Sequence, residues 1–133
     1  DMAIDSKGNI HVIAIETIEG ATKIVVHKYI AASQTWTILE TPIDLATNKR
    51  YFSIAISPLD VPYVIYRNDE DKPAFVYIDN DTKTWTAPYV FNSVLPANES
   101  ADIDFSSSGI GYTVYPDPDK KLVIEKYDVP QAQ

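Results

Sequence analysis

The two histidines, His11 and His27, are the residues of this chain best suited to acid–base or metal chemistry. Both fall in strand-like runs of one repeat unit, where a pair of imidazoles could act as a base or hold a metal. The chain has no cysteine to assist them, and neither histidine recurs at the matching place of the other units. We therefore expect both to be ordinary strand residues with hydrogen-bonding partners.

Acidic residues form a second group, because Asp5, Asp102 and Asp104 fall in or beside the predicted innermost strands. Carboxylates that converge on a channel can bind a cation. A solvated channel or a turn cap accounts for the same residues, and the run 79–81 lacks the later Gly and Glu of an EF-hand loop. The sequence therefore predicts no metal site and no cofactor.

Tyrosines on two equivalent predicted strands are the stronger indication of ligand binding: Tyr63, Tyr66, Tyr112 and Tyr115. A tyrosine offers a flat apolar face with a polar edge, which suits a sugar or a peptide. Packing between neighbouring sheets accounts for most such positions. The candidate ligand-binding residues are Tyr66, Arg67, Asp69 and Tyr115.

The sequence contains no pattern that predicts a catalytic residue. It has no nucleophile–base pair, no glycine-rich phosphate loop and no metal-ligand spacing. The sequence leaves open the alternative of two acidic residues that cleave a glycoside, since such residues are often far apart in sequence. We expect a non-catalytic protein, and the alternative is a fragment of a propeller-fold carbohydrate-active hydrolase or lyase.

Charge and hydropathy narrow the range of partners. The 133-residue chain has a formal net charge of −8 and no local cluster of Lys and Arg. Such a chain repels the phosphate backbone of nucleic acids. No apolar run approaches the roughly 20 residues of a membrane helix. We therefore expect neither nucleic-acid binding nor membrane insertion.

Alternation of apolar and polar residues dominates the chain, and the same order of predicted strands recurs three times. Ala3 maps onto Ala55, which is 52 residues later, and Ile54 maps onto Ile103, which is 49 residues later. The difference falls between the second and third strands, where the predicted loop 16–22 is longer than the loop 68–72. Loops absorb changes of length more readily than strands do.

A repeat of about 50 residues with four short strands predicts the blades of a β-propeller. The fold expected is all-β, with about two and three-quarter blades of four-stranded antiparallel sheet: residues 1–51, 52–100 and a partial third blade over 101–133. A β-sandwich with coincidental similarity is the alternative. Trp36 and Trp85 are predicted to open the outer strands and to be equally buried.

The units resemble a bacterial β-propeller repeat found in secreted and cell-surface proteins. Its blades read roughly S-x-A-x-D-x-x-G-x-P-Y-V-A-Y, then K-Y-D, then T-W. Matching stretches are residues 53–57, 62–66, 84–85 and 125–128. The resemblance implies a propeller fold and an extracellular or cell-surface location in a bacterium. It does not indicate the ligand, because the matched residues are framework positions.

These features predict a non-catalytic propeller that binds or scaffolds a glycan or a protein partner, with the loops 16–22 and 68–72 as the first candidates for contact. A ring needs about 4–8 blades, so three blades leave two apolar faces open. The remaining blades would come from the parent chain or from a second copy. The missing fourth strand of the third unit favours the parent chain. Either way, the isolated chain is predicted not to be a well-behaved monomer.

Overall fold

The computed structural model describes residues 1–44 and 51–128. Within these two ranges the chain forms eleven strands and no helix, so they offer no helix able to cross a membrane. The strands are β1 Met2–Ile4, β2 Ile10–Ile18, β3 Ala21–Ile30, β4 Thr35–Asp44, β5 Phe52–Ile56, β6 Pro62–Arg67, β7 Pro73–Tyr77, β8 Tyr89–Val90, β9 Asp102–Phe105, β10 Ile110–Pro116 and β11 Leu122–Asp128.

Three antiparallel sheets follow one another along the chain, and in each the strands pair in sequence order. The first sheet is β1-β2-β3-β4, the second is β5-β6-β7-β8, and the third is β9-β10-β11 in the described residues. The predicted all-β fold with four-stranded antiparallel sheets is confirmed. The closed propeller and the unit boundaries at residues 51 and 100 stay predictions.

The turn that joins the first two strands has the same geometry in all three sheets. Its fourth residue has a positive φ each time: 77° at Gly8, 59° at Asp60 and 85° at Gly109. The residue that opens the turn accepts a hydrogen bond from the backbone N–H four residues later; these residues are Asp5, Ser57 and Ser106. A short polar side chain followed by a left-handed residue favours this turn. The three turns thus share their chemistry as well as their spacing.

The predicted loop 16–22 is wrong, because most of it is strand. β2 continues to Ile18 and β3 begins at Ala21, so that only Glu19 and Gly20 form the turn. Both have positive φ, at 52° and 83°, which matches the two-residue hairpin turn that follows the twist of the strands. The extra residues of the first unit therefore lengthen a hairpin.

Apolar side chains fill the two spaces between the sheets. Between the first and second sheets the cluster includes Ile13, Ile24 and Val26 on one side, and Val64 and Val76 on the other. Between the second and third sheets the cluster is largely aromatic: Tyr63, Phe75, Phe91 and Tyr115, with Phe105 and Tyr127 packed against it. All six residues of β6 are buried, as expected for a sheet covered on both faces.

The predicted equal burial of the two tryptophans is wrong, and so is the prediction that both open an outer strand, since Trp85 precedes β8 and forms an isolated bridge with Ile78. Trp85 is half-buried against the cluster between the first and second sheets, whereas Trp36 is 57% exposed and contacts Tyr29 with ring centroids 5.2 Å apart. The two residues occupy the same face of their sheets. The second sheet turns that face towards the first sheet, but no described residue covers the equivalent face of the first sheet.

Phe75 provides a test of the cluster between the second and third sheets, since its ring contacts Tyr63, Tyr89, Phe91 and Tyr127. Phe75→Ala should lower the free energy of unfolding by about 3–5 kcal/mol, because it leaves a cavity in a fully buried cluster. Urea denaturation would measure the change. Leu59→Ala, in the exposed turn before β6, should stay within about 0.5 kcal/mol of wild type. Equal losses for the two variants would contradict this packing.

Candidate functional site

The four ligand-binding residues predicted from sequence do not come together. Tyr66 and Arg67 end β6, Asp69 lies exposed in the following turn, and Tyr115 lies in β10. Tyr66 faces the first sheet, whereas Tyr115 is buried between the second and third sheets. Only Asp69 presents much of its side chain to solvent. Ligand binding by this set stays a prediction.

Arg67 is held by groups of the chain itself. Its Nε donates to Asp71 Oδ1 at 2.9 Å, and its Nη1 donates to the carbonyl oxygens of Pro96 and Glu99 at 3.0 and 3.1 Å. The guanidinium also lies over the ring of Tyr51, with Cζ 5.7 Å from the centroid. These contacts tie the end of β6 to the segment that leads into the third sheet.

The two histidines contact different carboxylates on opposite faces of the first sheet. His11 pairs across the strands with Lys28, and His27 pairs with Val12. Because neighbouring residues of a strand point to opposite faces, the two rings lie on opposite faces of the sheet. His27 Nε2 contacts Glu16 Oε1, and His11 Nε2 lies 3.2 Å from Asp5 Oδ2. The expectation that each histidine has a hydrogen-bonding partner is confirmed.

Asp5 is buried in the turn after β1. Burial by itself raises the pKa of its carboxyl, but hydrogen bonds from Asn9, His11 and the backbone N–H of Lys7 outweigh burial and lower the pKa to about 2. Asn9 also accepts a hydrogen bond from the N–H of Ala31 at 3.0 Å, which joins this turn to the end of β3. The Asp5 carboxylate is therefore an anchor of the turn.

Burial lowers the pKa of His11, while the hydrogen bond with Asp5 acts in the opposite direction. The neutral ring can donate from Nε2 to Asp5, and its Nδ1 has no hydrogen-bond partner within residues 1–44 and 51–128. Protonation of this buried ring would place a second proton where nothing accepts it.

The first strands of the three sheets line a groove of about 410 Å³. The Ser53 hydroxyl lies 2.9 Å from Asp1 Oδ2 and 2.8 Å from Asp102 Oδ1, and its single proton can serve only one of them at a time. Asp104 lies further along the same groove. Among the described residues no group of three or more acids and histidines is arranged to hold a metal ion.

Three tyrosines lie where the second sheet meets the third, one of them exposed and two half-buried. Tyr89 of β8 is 50% exposed, and its ring stacks on Phe75 with centroids 5.1 Å apart and planes 23° apart. Tyr127 of β11 lies 6.0 Å from Tyr89, and Tyr77 of β7 hydrogen-bonds to Tyr127. We call Tyr77, Tyr89 and Tyr127 the aromatic rim.

Polar groups accompany the aromatic rim. Burial raises the pKa of Tyr127, and the hydrogen bond with Tyr77 raises it further, so this hydroxyl stays protonated at neutral pH. Glu125 lies two residues from Tyr127 on the same face of β11, and its carboxylate accepts a hydrogen bond from the Tyr115 hydroxyl at 2.7 Å. The rim thus offers an aromatic surface with hydroxyl and carboxylate groups beside it.

Sequence reasoning did not select the aromatic rim. Tyr127 belongs to a stretch that matched the repeat as framework, and Tyr89 lies outside the matched stretches. Tyr89 lies in the last strand of the second sheet and is 50% exposed. A repeat pattern identifies the position of a tyrosine but not what neighbours it.

No protein-family model matches the chain, and no curated protein matches it. Among solved structures it resembles a fucose lectin from Kordia zhangzhouensis in complex with methyl-fucoside. The likeness covers 96% of this chain and 90% of the lectin chain, with a TM-score of 0.55 and 11% sequence identity. At this identity the likeness concerns the fold, and it agrees with the all-β architecture.

We expect Arg67→Met to lower the free energy of unfolding by about 2–3 kcal/mol, because hydrogen bonds to a charged group are lost and two carbonyl oxygens lose their donor. Arg67→Lys should recover only part of this loss, since an ammonium group cannot reproduce the planar fork of donors. Lys121→Met, at an exposed position, is the control. Urea unfolding curves with the same midpoint for all variants would show that these contacts contribute little.

Stability should fall as the pH drops below about 6.5. The unfolded chain then protonates His11 while the folded chain resists, so more protons are bound in the unfolded state and acid favours unfolding. Unfolding free energies measured between about pH 5 and 8 should show this slope. His11→Gln should flatten it, whereas His27→Gln should keep the part that His11 contributes. An unchanged slope in His11→Gln would place the titrating group elsewhere.

Proposed function

We propose that this chain is a non-catalytic propeller segment that binds a glycan at the aromatic rim. The half-exposed ring of Tyr89, supported from below by Phe75, is the observation that carries the proposal. The C–H face of a sugar ring packs on such a surface, and the half-buried hydroxyls of Tyr77 and Tyr127, which hydrogen-bond to each other, supply polar groups beside it. The carboxylate of Glu125 adds an acceptor nearby.

The likeness to a fucose lectin supports the same class of ligand. A protein partner would use the same rim through an aromatic or proline-containing segment, and it is an alternative outcome of the experiment below. The acidic net charge of −8 favours a neutral ligand over a polyanion. We infer a fucose-containing or related neutral glycan as the first class to test.

The propeller itself is part of the proposal. Three observations support it: the sheets pack face to face in chain order, their first strands line one groove, and their first turns repeat the same hydrogen bonds. The resemblance to bacterial surface propellers supports an extracellular or cell-surface location. Each sheet corresponds to one blade in this interpretation.

The contacts of the histidines favour binding over the hydrolase or lyase alternative. Each histidine contacts a carboxylate and not a hydroxyl group. The described residues therefore contain no hydroxyl nucleophile that is activated by a histidine. The carboxylate that we place beside the rim among the described residues, that of Glu125, already accepts a hydrogen bond from Tyr115, whereas glycoside cleavage usually needs two carboxylates that flank the bond. We therefore propose a binding role without turnover.

Tyr89→Ala should weaken glycan binding at least about tenfold, which corresponds to about 1.4 kcal/mol of lost contact. A glycan array would identify the ligand, with methyl-fucoside as the first probe, and titration calorimetry would give the affinities. Tyr89→Phe keeps the ring and should bind nearly as well as wild type. Leu59→Ala, in the turn before β6 and outside the rim, should bind as wild type.

Two results would overturn the proposal. Wild-type affinity in Tyr89→Ala would move the site away from the rim, with the loop 68–72 and the groove as the next places to examine. Release of reducing sugar from the bound glycan would replace the binding role by a hydrolase or lyase.

A further inference from the structure

Two apolar faces remain uncovered at opposite ends of the stack of sheets. On the first sheet, the head face includes Met2, Ile4, Trp36 and Ile38, each more than half exposed. On the third sheet, the tail face includes Tyr112, Leu122 and Ile124, of which the last two are 68% and 62% exposed. Contiguous apolar surface of this kind is unusual on a monomer and marks an interaction surface.

Strand register shows what each face is built to contact. On the head face Met2, Val12 and His27 form one row across β1, β2 and β3. The same row in the second sheet is Ile54, Val64 and Val76, which are buried against the first sheet. The head face therefore occupies the positions that receive a preceding sheet.

The tail face shows the complementary correspondence. Val114 and Ile124 pair across β10 and β11, as Ile65 and Phe75 pair across β6 and β7. Ile65 and Phe75 are buried in the cluster shared with the third sheet. The tail face therefore occupies the positions that receive a following sheet, and it also carries the charged residues Asp104 and Lys126, which pair with Tyr112.

We propose that a second copy of this chain covers both faces, with the head face of each copy on the tail face of the other. One chain has one face of each kind, so two copies close with two equivalent contacts and about six blades, within the range of propeller rings. The likeness in fold to the fucose lectin covers 96% of this chain and 90% of that one, so a similar stack of sheets occurs in a chain of similar length. A second copy is therefore the first occupant to test.

One contact in such a ring would be unfavourable. Asp1, Ser53 and Asp102 occupy equivalent places and contact one another in order from sheet to sheet. Closure would therefore bring Asp102 of one copy towards Asp1 of the other, and like charges repel. Added salt screens that repulsion while the apolar contacts persist, so association should strengthen with salt.

The test is the mass in solution, measured by light scattering on the purified chain at micromolar concentration. Wild type should have twice the mass of one chain. Ile38→Glu on the head face and Ile124→Glu on the tail face should each give monomers, because every contact then includes a buried charge. Both positions are exposed in the single chain, and circular dichroism would verify that the variants fold.

A mixture of the two variants is decisive. The tail face of Ile38→Glu and the head face of Ile124→Glu are unaltered, so an equimolar mixture should recover a dimer through one contact. Leu59→Glu, in a turn on neither face, should remain dimeric.

Dimers of Ile38→Glu alone would indicate tail-to-tail pairing and overturn the proposal. A wild-type monomer that melts cooperatively would overturn it, because the two faces would then need no cover. Neither result depends on glycan binding.

Discussion

The burial of the second sheet on both faces is the constraint on which the arrangement depends. Every residue of β6 is buried, so this strand has no solvent-facing side chain. A sheet of this kind must be covered twice, because leaving either face in water would forfeit about 25 cal/mol for each Å² of apolar surface. The first and third sheets supply the two covers, and each is left with an outer face of its own.

Polar contacts also join neighbouring sheets of this stack. The Asp60 carboxylate accepts hydrogen bonds from the backbone N–H and the hydroxyl of Ser6, which joins the first turns of two sheets. Arg67 joins β6 to the segment before the third sheet. Hydrogen bonds, which are directional, thus join the sheets through their turns and connecting segments. Burial of apolar side chains, which is not directional, holds their faces together.

The aromatic rim and the uncovered faces are consequences of the same stacking. Tyr89 lies on the face of the second sheet that meets the third, but it keeps half of its surface in solvent. Tyr112 corresponds to the fully buried Tyr63, yet it is exposed because nothing described here follows the third sheet. Residues of the same type at the same place in the repeat therefore serve as core or as contact surface according to their neighbours.

The sequence by itself determined the strands, their order and their three-fold repetition, because alternation and turn chemistry are local properties. Residues such as Asp5, Ser57 and Ser106 repeat that chemistry at spacings of 52 and 49 residues. The same local rules wrongly predict a loop at 16–22, because a turn of only two residues is too short to be recognised between its two strands. Only the tertiary structure decided which side chains are exposed. Trp36 and Trp85 share their place in the repeat and differ in burial, since burial depends on whether another sheet lies opposite, and that is not a property of the residue or its neighbours in sequence.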